Sequence, residues 1–202
     1  MTLVIAHRGA HGPGVPENTL AAFERAIALG ADMVEFDVRR APNGRLIVSH
    51  DVPEPERAGH LPALAEALEL CRGRIAVNVE LKEPGYVPDV LALLPEDNCL
   101  LTSFHEDVIR EARKLAPALA TGRVIDRYSA PDALARSGAT HPMLEKCLPT
   151  LPGCFVWTVN DAPALRRFLT DPAVLGIITD APELALELRA RISARTEPVA
   201  PS

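Results

Sequence analysis

The sequence lacks any apolar run near the roughly 18 residues that span a bilayer, so nothing in its 202 residues reads as a membrane crossing. It also lacks an excess of positive charge. Lys and Arg number 21 against 27 Asp and Glu, a net charge of −6, and without clustered cations neither a nucleic-acid surface nor a polybasic membrane patch forms. The four cysteines, Cys71, Cys99, Cys147 and Cys154, make no CxxC pair and no zinc-like spacing; they read as ordinary buried thiols. MTLVIAHRG enters a strand pattern at once, without a leader. Together these absences predict a cytoplasmic protein with no nucleic-acid partner and no membrane span, and leave the oligomeric state open.

What is present is alternation. The chain is 48% hydrophobic and 24% charged, enough apolar material for one sizeable core. Strand patterns occur at 3–9, 33–38, 75–82, 99–104, 119–125, 139–144, 155–159 and 175–180. Helical patterns lie between and after them, at 17–30, 61–71, 87–96, 105–116, 129–138, 144–153, 161–170 and 181–192, the first with Asn18 or Thr19 as N-cap and Gly30 as its stop. Eight of each is the count of a compact (β/α)8 TIM barrel, a fold whose lower limit is about 200 residues. An open doubly wound sheet shares the alternation. One barrel unit is expected over 1–193, with ARTEPVAPS (194–202) as a flexible tail.

VEFDVRRAPNGRLIVSHD (34–51) breaks this rhythm. APNG leaves no room for a helix, and Asn43-Gly44 is a strong signal for a two-residue hairpin turn. Centring the turn there pairs Asp37 with His50 and makes GRLIVSHD the return arm of a short β-hairpin, not a ninth barrel strand. Glu35 and Asp37 share one face because strand side chains alternate with period two.

Paired acids on a strand repel unless a cation or proton neutralises them. Glu80 in VNVELK adds a third acid at the end of the next strand. In a closed barrel the three meet at its C-terminal mouth, where an all-oxygen set suits Mg2+ or Ca2+ better than zinc. The alternative is separate solvation, or pairing with Arg39, Arg40 and Lys82. The first strand ends in AHRG, bringing His7 and Arg8 to the same rim, a proton carrier near neutral pH and a planar fork for phosphate oxygens. With His50 and Lys82 they describe a site for phosphoryl or phosphodiester chemistry. Glu17 either joins that rim or favours a helix N-terminus, Trp157 packs in the core or walls the mouth, and His105 and His141 read as secondary polar contacts. His11 and His60 receive no role.

IAHRGA, PENTLAAFERAIALGADMVEFDV, GRLIVSHD, VNVELK, TSF, VWTVN and IITD resemble, in that order, the signature blocks of the glycerophosphodiester phosphodiesterase family. The resemblance implies a (β/α)8 barrel that uses a divalent metal to hydrolyse glycerophosphodiesters to glycerol 3-phosphate and an alcohol. It implies His7 and His50 as the acid/base pair, Glu35, Asp37 and Glu80 as metal ligands, Arg8 and Lys82 as phosphate contacts, and Trp157 as a substrate-side aromatic. The chain departs from the family where a longer insertion usually follows the HD hairpin; here VPEPERAGHLPALAEALEL runs almost directly into a helix. Two other activities stay open, a phospholipase D-like lyase and a lysophospholipase D acting on bulkier lipid diesters, with a non-catalytic phospho-ligand-binding barrel as a third reading.

Overall fold

The computed structural model describes residues 1–196. In chain order its elements are β1 (Leu3–Ala6), α1 (Leu20–Leu29), β2 (Met33–Arg40), β3 (Leu46–Val48), α2 (Pro55–Ala58), α3 (Leu64–Cys71), β4 (Ala76–Leu81) and α4 (Val87–Leu91). There follow β5 (Cys99–Ser103), α5 (Glu106–Leu115), β6 (Ala120–Ile125), α6 (Ala133–Ser137), β7 (His141–Glu145), β8 (Cys154–Trp157), α7 (Ala162–Thr170), β9 (Val174–Thr179) and α8 (Pro182–Thr196). The strands pair in the order β1-β9-β8-β7-β6-β5-β4-β2, and β1 pairs with β2 to close the ring. All these pairings are parallel; only β3 is antiparallel, on the end of β2. The chain is therefore the eight-stranded barrel and not the open sheet. Of the expected tail, 194–196 continue α8, and 197–202 lie outside the described residues.

The inside of the barrel is filled by one parity of each strand. Ile5, Met33, Leu100, Val124, Met143, Phe155 and Ile178 form its apolar floor. Gly122 and Gly176 make this filling possible, since a Cβ would lie 2.7 Å from Met143 in one case and 2.8 Å from Phe155 in the other. Outside, α1, α3, α4 and α5 bury Phe23, Leu64, Val90 and Ile109 against Val34, Phe36 and Val79. A separate cluster of Leu165, Phe168 and Leu188 from α7 and α8 covers Val4, Val156 and Ile177.

Local chemistry sets the helix ends. Thr19 caps α1 by accepting the Ala22 N–H at 3.2 Å, and Gly30 closes it at φ +77°, in the left-handed region that glycine adopts freely. Asp161 caps α7 in the same way as Thr19, with the Ala164 N–H at 2.9 Å.

Some expectations fail. Of the four cysteines expected to be buried, Cys147 is exposed and Cys99 half-buried. The helix at 144–153 is absent: Leu144 and Glu145 belong to β7, the Leu148 N–H closes a turn on Glu145 O, and Lys146 N–H bonds Trp157 O. Pro149 and Pro152 prevent a helix there, so eight residues, 146–153, join two parallel strands. The hairpin turn is also one residue wider than expected. Gly44 N–H bonds Ala41 O and Ala41 N–H bonds Arg45 O, giving a loop of Pro42, Asn43 and Gly44 with Gly44 at φ +85°. Pro42 suits the second position of a type I turn, and Gly44 suits the left-handed residue after it. The register becomes Val38 to Val48, and Asp37 faces Ser49, whose N–H it accepts at 3.0 Å. On the other side β3 is held by Pro62 and Ala63, with Ile47, Ala41, Ala58 and Leu61 making a small core beneath it.

Gly9 is the tightest joint between β1 and α1. It sits at φ +82°, and a Cβ would come within 2.6 Å of Ala22 Cβ and 2.8 Å of Ala22 backbone carbon. Gly9→Ala is expected to cost about 2–4 kcal/mol from conformation and overpacking together. Gly30→Ala, at φ +77° in open space, is expected to cost about 1–2 kcal/mol. Urea midpoints of the two variants check the difference.

Candidate active site

The inward parity that builds the floor ends in polar residues at the C-terminal mouth. Glu35 and Asp37 follow Met33 on β2, and the β2–β4 register sets Asp37 directly beside Glu80. Each of the three offers a carboxylate oxygen within 4.8 Å of the others. Glu35 and Asp37 are only 2% and 1% exposed, so their repulsion is poorly screened by water.

Cations and amides gather around this charge. Lys82 Nζ lies 2.6 Å from Glu80 Oε1 and 3.2 Å from Asp37 Oδ1. Asn18, at φ +56°, donates to Asp37 Oδ2 at 2.8 Å and accepts the Asp37 N–H at 3.3 Å. Arg8, at φ +53°, turns its backbone N–H onto Glu35 Oε2 at 2.8 Å, bonds Glu17 at 2.8 Å and brings Nε to 3.2 Å from Asp37. Burial raises the Asp37 pKa, but Lys82, Asn18 and Arg8 outweigh it and hold Asp37 below its ordinary value. Burial and then repulsion from Asp37 push Glu35 up to about 8. Burial likewise raises Glu80 against the pull of Lys82. Glu35 Oε1 is buried with no hydrogen-bond partner. Three clustered carboxylates, one with an orphaned oxygen, fit a hard divalent cation.

Both histidines of the rim use Nδ1 on a carboxylate. His7 Nδ1 lies 2.6 Å from Asp180 Oδ1, and His50 Nδ1 lies 2.8 Å from Asp51 Oδ1. An ionised carboxylate only accepts, so each Nδ1 carries the proton and leaves Nε2 for other work. Burial opposes a charge on His7, yet the Asp180 bond and the Glu35 charge outweigh it and raise its pKa. Asn160 holds Asp180 from behind, donating to Oδ2 at 2.6 Å and accepting the Asp180 N–H at 2.9 Å. A cavity of about 170 Å³ opens between these groups, lined by His7, Arg8, the three acids, His50, Lys82, Phe104 and Trp157. Trp157 stands edge-on to Phe104 at 5.6 Å and donates its indole N–H to Met143 O at 3.0 Å.

Comparison with known proteins agrees with this geometry. The model of the glycerophosphoryl diester phosphodiesterase family matches residues 7–69. A glycerophosphodiester phosphodiesterase of Caldanaerobacter subterraneus subsp. tengcongensis is 31% identical, with 93% of this chain and 97% of the relative covered. The chain belongs to the glycerophosphodiester phosphodiesterase family. A glycerophosphodiester phosphodiesterase of Thermotoga maritima superposes with a TM-score of 0.78 at 26% identity, covering 94% of this chain and 99% of that one. A phosphodiesterase of Oleispira antarctica, solved with its product sn-glycerol-3-phosphate, shares the fold with a TM-score of 0.77 at 22% identity over 93% and 96% of the two chains. The alignment to the Caldanaerobacter relative runs to 238 positions against 202 residues here, so that relative carries insertions this chain lacks.

As a glycerophosphodiester phosphodiesterase family member, the chain is an enzyme, and the eight residues expected at its site do line one cavity. Arg39 and Arg40 do not pair with the acids; they bond Glu83 and Asp89. Glu17 joins the rim through Arg8. His105 sits beside it, donating from Nε2 to Lys82 O at 3.0 Å, whereas His141 opens β7 and so lies at the opposite end of the barrel. The sequence reading missed Asn18 as a partner of Asp37, and Asn160 and Asp180 as supports of His7. The signal for the last two was an Asn and an Asp just past strand ends, in VWTVN and IITD. His11, given no role, bonds Asp180 Oδ1 at 3.2 Å.

The Glu35 shift has a definite sign. Its folded pKa of about 8 lies above the reference 4.5, so the folded state holds the proton more tightly and the metal-free protein loses stability as pH rises through that window. Urea midpoints in chelator are expected to fall more from about pH 5 to about pH 8 in the parent protein than in Glu35→Gln. Equal slopes would remove Glu35 as the cause.

Proposed function

We propose that the chain hydrolyses glycerophosphodiesters to glycerol 3-phosphate and an alcohol, with His7 and His50 as proton carriers and a divalent cation, Mg2+ or Ca2+, on Glu35, Asp37 and Glu80. The observation that carries this reading is the meeting of two carboxylate-backed imidazoles, three acids and two cations around one cavity at the barrel mouth. Glycerol 3-phosphate is also the product held by the Oleispira phosphodiesterase. The catalytic unit is residues 1–193. The four free thiols support a reducing, cytoplasmic setting, and no helix among the described residues is long and apolar enough to cross a membrane.

When bound, the cation would supply charge neutralisation for the phosphoryl oxygens. Arg8 and Lys82 add a fork and a point charge to the same task, Arg8 from a strained backbone that also ties it to Glu35. Asp180 favours protonated His7, which supports His7 as the acid that donates from Nε2 to the leaving alkoxide. His50, backed by Asp51 and partly exposed beyond the end of β3, takes a proton from the attacking hydroxyl. Trp157 and Phe104 offer an apolar wall to the alcohol group.

His7→Ala and His50→Ala are each expected to lower kcat by about 100- to 10,000-fold while leaving the circular dichroism spectrum unchanged. Near-normal turnover in either would sink that residue's role. Glu80→Ala and chelator treatment are expected to abolish turnover alike, with Mg2+ or Ca2+ restoring the parent enzyme alone. Hydrolysis that survives chelation would remove the cation from the mechanism.

A further inference from the structure

Asp180 accepts two imidazoles on a single oxygen. Its Oδ1 lies 2.6 Å from His7 Nδ1 and 3.2 Å from His11 Nε2, and one ligand atom from each of these three residues falls within 4.8 Å of the others. This cluster differs from the acid triad in both chemistry and access. Two nitrogens and one oxygen suit zinc and similar borderline ions, whereas three carboxylates suit Mg2+ or Ca2+. His11 and Asp180 also line a second cavity, of about 380 Å³, beside α1 and the start of α8; of the three cluster residues only His7 lines the mouth cavity. The second cavity holds Asp180, Glu183 and Glu187 against Arg25, an acidic balance that draws cations in.

We propose that His7, His11 and Asp180 form a second metal site, specific for zinc or a similar nitrogen-seeking divalent ion, that inhibits the enzyme when filled. Ligand atoms about 2 Å from a tetrahedral zinc stand about 3.3 Å apart, and His11 Nε2 is already 3.2 Å from Asp180 Oδ1. The His7 contact at 2.6 Å has to lengthen; as the metal binds, the proton shared by His7 and Asp180 leaves to solvent and the proton on His11 Nε2 moves through solvent to its Nδ1. Asn160, on the other Asp180 oxygen at 2.6 Å, keeps that carboxylate aimed, as outer partners of metal ligands do. Filling the site at Nδ1 leaves His7 a neutral imidazole whose Nε2 proton could depart only by forming an imidazolate, so it no longer serves as the acid. The binding stands on geometry alone; the inhibition rests on the role proposed for His7.

The test is calorimetric titration of zinc chloride into protein saturated with Mg2+, for the parent chain, His11→Gln and His11→Cys. Gln keeps a donor for Asp180 without the imidazole, and Cys supplies a stronger zinc ligand. The parent is expected to bind one zinc per chain under these conditions, His11→Gln about tenfold or more weakly, and His11→Cys at least as tightly. In imidazole nitrogen NMR, zinc is expected to move the His7 and His11 signals and leave that of His50 in place. Unchanged affinity in His11→Gln, or zinc that shifts neither His7 nor His11, overturns the site. Each variant's hydrolysis is then measured against its own zinc-free rate, and His11→Gln is expected to need about tenfold more zinc for half inhibition. Equal inhibition of parent and His11→Gln overturns the proposal by locating zinc on the acid triad. Zinc that fills the cluster by NMR without slowing hydrolysis leaves the site standing and overturns the role of His7.

Discussion

Glu35 and Asp37, two residues apart on one buried face with Glu80 across the ladder, repel one another where water cannot help. Much of the mouth is organised by that repulsion. Arg8 and Asn18 hold left-handed backbone that side chains other than glycine seldom take, and in return an N–H and an amide reach the acids. Lys82 is drawn inward to 12% exposure between Asp37 and Glu80. The compensation is incomplete, because Glu35 keeps a buried oxygen without a partner. A fold built only for stability would have placed apolar side chains at these inward positions, as it does at Met33 and Ala76 deeper in the barrel.

The strands were legible because the parallel sheet is buried on both faces. Runs such as VIA and GII are apolar at every position, and all eight barrel strands overlap the strand patterns of the sequence. The loops were less legible. Leu144, Glu145 and Leu148 carry a helical spacing that strand pairing to β8 overrides, and Pro149 and Pro152 were the local warning. The hairpin register turned on Pro42, whose fixed φ favours a type I turn over the two-residue turn that Asn43-Gly44 suggests alone. A one-residue slip usually exchanges the faces of a strand; His50 still reaches the cavity because it lies beyond the end of β3, where the ladder no longer dictates its direction.

The site's charged members were legible because a strand of alternating parity makes their shared face countable. Their supports were not. Asp180 and Asn160 come from the ends of β9 and β8, and they reach His7 only because the barrel closes β9 onto β1. Closure is a long-range event, with His7 and Asp180 173 positions apart in the chain. No local pattern announces such a pair. Asn18 was visible only as a helix cap, and its turn toward Asp37 depends on the left-handed backbone that ends the first loop.

The eight residues that carry the chain from β7 to β8 leave the outer wall of the barrel thin at one place. Elsewhere a helix covers the gap between neighbouring strands; here Leu148 of the loop packs among the residues around Leu144 and Val156. Buried contacts oppose backbone opening, and between these two strands Leu148 supplies them in place of a helix. Trp157 hangs from the edge of this seam, with its indole N–H anchored to β7. The rest of the mouth belongs to strands clamped by helices and ion pairs. The barrel thus joins a side clamped by helices and ion pairs to one closed by a loop, and Trp157 stands at the boundary between them.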